Sequence, residues 1–158
     1  MAAGEVLLLA LLIGAVCGLR SMTGPALVSW GAHLGWLHLA ASHLAFMGSQ
    51  IALVLFSLCA VGELIADKFP KIPNRTDAGP LALRAIMGAI CGGAFAVTFG
   101  ADFAMACLLG GLGGLLGSFA GFWTRKLATR PGRLPDVLVA LMEDLIAVGG
   151  GLLLVSRF

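Results

Sequence analysis

The chain has 158 residues, 59% apolar and 11% charged, with 23 glycines and a mean hydropathy of +1.02. An ordinary soluble domain is nearer a quarter charged, so this composition excludes one and predicts an all-α integral membrane protein, a single Gly-rich bundle over residues 1–158. The net charge of +2 implies no nucleic-acid partner, because the basic residues sit in polar loops beside apolar runs.

The first apolar run predicts a span over 4–23, and Pro25 after it ends or kinks the helix because proline lacks the backbone N–H. Segment 26–40 carries Trp30, Trp36, His33 and His38 but no Lys or Arg. Tryptophan favours the headgroup level, so this segment is expected to lie in the interface or to re-enter the membrane. A second span is expected over 44–66. The polar stretch DKFPKIPNRTDAGP follows, with Pro70, Pro73 and Pro80 as breakers. Further spans are expected over 81–99 and 104–123, joined by a tight turn. The basic loop RKLATRPGRLPD then leads into a fifth span over 137–155. Each run approaches the ~20 residues a helix needs to cross a bilayer.

With five spans, Lys68, Lys71, Arg75, Arg125, Lys126, Arg130 and Arg133 fall on one side together with the N-terminus. The positive-inside rule then predicts a cytoplasmic N-terminus and an external C-terminus.

Gly110, Gly114, Gly117 and Gly121 recur at helical spacing, forming a stripe that lets another backbone approach closely. It serves either packing within the chain or a homo-oligomer contact, and the sequence leaves both open. A faint repeat relates Gly14 to Gly111, Ser21 to Ser118 and Gly24 to Gly121, and ELIA at Glu63 to DLIA at Asp144. It implies two inverted two-helix hairpins joined by a central helix, an arrangement found in transporters.

The chemistry lies in the charges within the apolar spans. At 1.5 Å rise per residue, Glu63 and Arg84 come about one turn inside the cytoplasmic ends of their helices. Glu143 and Asp144 come about two turns inside theirs. Asp67 and Lys68 stand at the same mouth. Intramembrane ionisable groups are costly and usually mark a pathway. Glu63, Asp67, Glu143 and Asp144 are therefore the candidate ligands for a proton or small cation, with Arg84 and Lys68 as charge partners. Arg20 lies about 24 Å along span one and is expected near the outer leaflet, snorkelling or touching an anion or lipid headgroup.

No phosphate-binding loop or nucleophile elbow is present, and no cofactor is expected. Cys17, Cys59, Cys91 and Cys107 lack metal-ligand spacing and read as small buried hydrophobes. His33, His38 and His43 are spaced by five, which does not gather them on one helix face.

Gly18-Leu19-Arg20 followed by Pro25, then ELIADKFP from Glu63 to Pro70, Arg84 with Gly88, and Glu143-Asp144 late in the chain resemble the domain-of-unknown-function 4126 family of small bacterial membrane proteins. The resemblance implies a helical membrane bundle in the bacterial inner membrane, but no activity. That family often has an Asp soon after the Asp-Lys-x-Pro, where this chain has Ile72-Pro73-Asn74. The function expected from the charges is a small transporter or channel for protons or a small cation. The alternatives are a non-catalytic assembly or structural component, or a protein that binds lipid headgroups.

Overall fold

A computed structural model describes residues 1–66, 76–129 and 135–157. The described residues form helices α1 (Ala3–Leu19), α2 (Thr23–His33), α3 (Gln50–Ala66), α4 (Ala78–Phe99), α5 (Phe103–Ala128) and α6 (Asp136–Ser156), with a short 3-10 turn at Ala45–Gly48 and no strand. Helices α4, α5 and α6 are long and apolar enough to cross a membrane. The shorter α1 and α3 are also apolar.

Helices α4 and α6 keep close to their expected bounds. Pro80 sits inside the first turn of α4 rather than before it, since a first-turn N–H has no intrahelical acceptor to lose. For the same reason Pro25 sits inside the first turn of α2. The break falls earlier, at Arg20, whose backbone is extended (φ −141°, ψ 110°). The expected span over 4–23 therefore stops at Leu19, and residues 26–33 of the segment expected to be interfacial or re-entrant belong to α2. Gly35, with φ +81°, ends that helix, and the Trp36 and Leu37 N–H groups return to the Gly31 carbonyl at 2.8 and 3.1 Å. Helix α3 begins later than expected because the chain before it takes the 3-10 turn and then extends at Ser49.

Helices α1, α4 and α5 make the closest contacts, backbone to backbone. A Cβ added at Gly14 would stand 2.1 Å from the Gly110 carbonyl oxygen, one at Gly18 2.4 Å from that of Gly114, and one at Gly92 2.4 Å from that of Ala106. These pairings make α1 and α5 parallel, with α4 antiparallel to both. Only glycine permits such approach without displacing a helix. The inverted hairpins expected from the repeat are therefore not formed. Gly14 packs against Gly110, the neighbour of the Gly111 to which the repeat relates it. The stripe is likewise used within the chain: Gly110 abuts Gly88, Gly114 abuts Arg84, Gly117 abuts Ala15, and Gly121 is buried.

After Leu19 the chain doubles back. A Cβ at Gly24 would strike Cys17, and one at Gly151 would meet both Leu27 and Val16. Gly31 meets Val155, and the Trp30 indole donates to Ser57 at 3.1 Å. Helix α2 thus runs back toward the end where α1 began, alongside α6 and antiparallel to α3. The start of α1 and the end of α6 lie at one end of the bundle, while α3 and α5 end, and α4 and α6 begin, at the other. Among the described residues, the start of α1 lies away from the ends of α3 and α5 and the starts of α4 and α6, because the reversal after Leu19 adds a change of direction that a five-span reading omits.

Candidate functional site

The tip of the α1–α2 hairpin does not reach the bundle's end. Ser118 contacts Gly18, and α5 continues from Ser118 to Ala128, about 15 Å further at 1.5 Å per residue. The tip therefore exposes two helix ends inside the bundle. The last carbonyls of α1 carry partial negative charge and the first N–H groups of α2 partial positive charge.

Each end meets a side chain of opposite sign. At the α1 end, the Gly18 carbonyl accepts from Arg84 Nη1 at 3.3 Å and from Ser118 Oγ at 3.2 Å. Ser118 Oγ also reaches the Gly114 carbonyl at 2.7 Å. At the α2 end, Glu63 lays its carboxylate across the chain. Its Oε1 accepts from the Ser21 N–H and the Ser21 hydroxyl, both at 2.8 Å, and its Oε2 accepts from the Met22 N–H at 2.9 Å. Arg84 Nη2 stands 3.6 Å from Oε1. Arg20, the residue at the bend, forms an ion pair with Asp144 of α6.

Of the candidate residues, Glu63, Arg84, Arg20 and Asp144 thus gather around one bend, on elements far apart in sequence. Arg20 departs from expectation: it is 1% exposed and paired with an acid, rather than near a lipid surface. Helix α1 stops and folds back within the bundle, so the distance counted along a continuous span does not lead outward. Glu143 is buried on α6 and engaged there, but no described contact joins it to Glu63. Asp67 and Lys68 lie outside the described residues, as do Lys71, Arg75, Arg130 and Arg133. His33, His38 and His43 are exposed, and no group of three His, Cys, Asp or Glu among the described residues could hold a metal ion.

Two members were missed in the sequence as site residues. Ser21 and Ser118 stood out only as matches within the repeat. The available signal was a serine between an arginine and a Gly-Pro pair, the pattern of a helix start.

The carboxylates and guanidiniums are not equally enclosed. The Arg20 and Arg84 side chains are 1% and 8% exposed, against 16% for Glu63 and 18% for Asp144. The cations are fixed inside, while each acid keeps an accessible edge. Chemically, the arrangement holds two acid–guanidinium pairs at a helix break, with each acid partly accessible.

These features define an all-helical protein of membrane-helix character, built around an internal helical hairpin with a charged tip. The chain belongs to the family described as domain of unknown function (DUF4126), whose pattern covers residues 7–156. No curated protein and no solved structure matches it.

Proposed function

We propose that the protein is a small transporter or channel of the bacterial inner membrane that passes protons or a small cation by way of Glu63 and Asp144. The observation that carries this reading is the pairing of two partly accessible carboxylates with two buried arginines at a helix break inside an apolar bundle. Intramembrane ionisable groups of this kind usually line a pathway, and broken helices commonly form transporter sites. Arg84 and Arg20 stand beside these acids, and Glu143, carried by α6, is a third acid. In this reading α3, α4, α5 and α6 cross the bilayer and α1–α2 is a re-entrant hairpin.

The orientation follows from the basic residues. Arg125 and Lys126 close α5, and the chain segments holding Lys68, Lys71, Arg75, Arg130 and Arg133 leave from the same end of the bundle. By the positive-inside rule that end is cytoplasmic, and both termini are external. A reporter enzyme active only outside the cytoplasm is expected to work when fused at Phe158 and also when fused before Met1. Activity at one terminus alone would refute the arrangement.

Flux is tested in proteoliposomes loaded with a pH-sensitive dye, with a potassium diffusion potential as driving force. Wild-type protein is expected to acidify the lumen faster than empty vesicles. Glu63→Gln, and the charge-balanced double variant Arg20→Met/Asp144→Asn, are expected to fall to the empty-vesicle rate while retaining helical content. Absence of wild-type flux for protons, sodium and potassium would remove the proposal. A second reading, a structural component, is favoured by the three hydrogen bonds that fix Glu63. It expects the same variants to lose thermal stability with no flux to lose.

A further inference from the structure

Helix α3 is joined to the bundle differently from the trio α1, α4 and α5. In a bilayer no hydrophobic driving force holds helices together, so association rests on close backbone packing and on hydrogen bonds. The trio uses the first. Helix α3 has little of it: a Cβ on Gly62, its one glycine, would meet nothing within 4 Å. It packs against α2 and the 3-10 turn.

What holds α3 changes along its length. Its buried residues, Ala52 and Leu53, are both in the first turn, and Phe56 in the next turn packs against the core. Beyond it Leu58, Val61 and Ile65 are exposed. That half is held by polar ties. The Trp30 indole reaches Ser57, and Glu63 takes its three hydrogen bonds from Ser21 and Met22, with Arg84 at 3.6 Å. At the other end, the 3-10 turn stops at Gly48 and Ser49 is extended (φ −73°, ψ 149°). A few residues at the end of an element are what absorb the rotation in a hinge.

We propose that α3 is a gate that pivots about Ser49, with Glu63 as the latch that holds it shut against the tip of the α1–α2 hairpin. The inference deepens the function proposed above and rests on it for the cargo alone. An outward swing draws the Glu63 carboxylate away from Ser21, Met22 and Arg84 and uncovers the bend at Arg20–Met22. The glycine contacts of α1, α4 and α5 need not change, so the trio is the fixed frame and α3 the moving part, as in transporters that rock one element against another. Val61 stands about 18 Å along the helix from Ser49. A rotation of about 15° therefore moves it by about 5 Å.

Double electron–electron resonance on the protein in liposomes reads the swing. One spin-labelled pair, Val61→Cys with Leu116→Cys, reports the latch end, and a second, Ile51→Cys with Leu108→Cys, reports the pivot end. All four positions are exposed. Cys59→Ser and Cys107→Ser remove the reachable native thiols, while Cys17 and Cys91 are buried. With the latch intact, each pair is expected to show one dominant distance. Glu63→Gln is expected to add a component about 5 Å longer at the latch end and to leave the pivot end single. Ser21→Ala, which removes one of the three bonds, is expected to add a smaller fraction of it, and it carries the test should Glu63→Gln not purify. Absence of the longer component in the variants overturns the gate. So does a longer component at both ends, which would mean that α3 detaches as a whole. Flux of the wild type is measured separately. A swing without flux leaves the hinged helix standing and removes the transport reading, whereas flux with a rigid α3 does the reverse.

Discussion

Gly110→Ala is expected to abolish the folded protein, although it adds a single methyl group to a helix. The new Cβ would lie 2.2 Å from the Gly88 carbonyl oxygen and 3.1 Å from the Gly92 Cα. On the other side, the Gly110 carbonyl oxygen already stands 2.1 Å from where a Gly14 Cβ would be. The obstruction is backbone on both flanks, so no side-chain rotation can relieve it. Overpacking a core typically costs 1–3 kcal/mol when side chains can shift. Here whole helices must part, and the cost is expected to exceed about 3 kcal/mol. Gly62→Ala and Gly149→Ala are the controls. A Cβ at either position meets nothing within 4 Å, and alanine's higher helix propensity should stabilise each by up to about 1 kcal/mol. Thermal unfolding followed by size exclusion in detergent separates the two classes. A monodisperse Gly110→Ala protein melting near wild type would mean that α1, α4 and α5 do not meet backbone to backbone.

That trio also marks how far the sequence could be read. The apolar runs that became α4 and α6 were legible because each is long, uninterrupted and bounded by polar loops. The glycine stripe was legible as a contact surface, but not its partner, since spacing gives a face and no address. The hairpin was not legible. From Leu7 to Val28 the sequence stays largely apolar, and the reversal is made by an arginine, a serine and the carboxylate of a residue 42 positions beyond that serine. Local propensity does not encode a bend whose N–H groups are satisfied by Glu63 on another helix. Missing the bend displaced Arg20 and reversed the expected relation of α1 to α4. Glu63, Asp144 and Arg84 stood out regardless, because an ionisable side chain in an apolar run is conspicuous whatever the topology.

The Arg20–Asp144 pair should give the largest effect of any charge in the site, and an asymmetric one. Asp144→Asn strips the guanidinium of that carboxylate, and Arg20 is 1% exposed, with no route to water. Breaking a buried ion pair from one side typically costs 3–5 kcal/mol; Arg20 keeps a further partner, so a loss of about 3 kcal/mol or less is expected here. Arg20→Met removes the cation but keeps much of its volume. The carboxylate left behind is 18% exposed, so solvent can compensate it in part, and the loss should be smaller. The double variant Arg20→Met/Asp144→Asn leaves no uncompensated charge from the pair. Apolar replacement of buried pairs is often neutral or stabilising, so the double variant is expected to be more stable than Asp144→Asn alone. A double-mutant cycle on thermal unfolding measures this directly. Coupling of at least about 2 kcal/mol is expected, well above the ~0.5 kcal/mol by which independent sites depart from additivity. Additive losses would mean that Arg20 and Asp144 act separately, and that the bend is held by Glu63 without them. The same cycle separates stability from transport. A double variant that is stable yet passes no protons has lost a pathway, because the helix break it needed for folding is still intact.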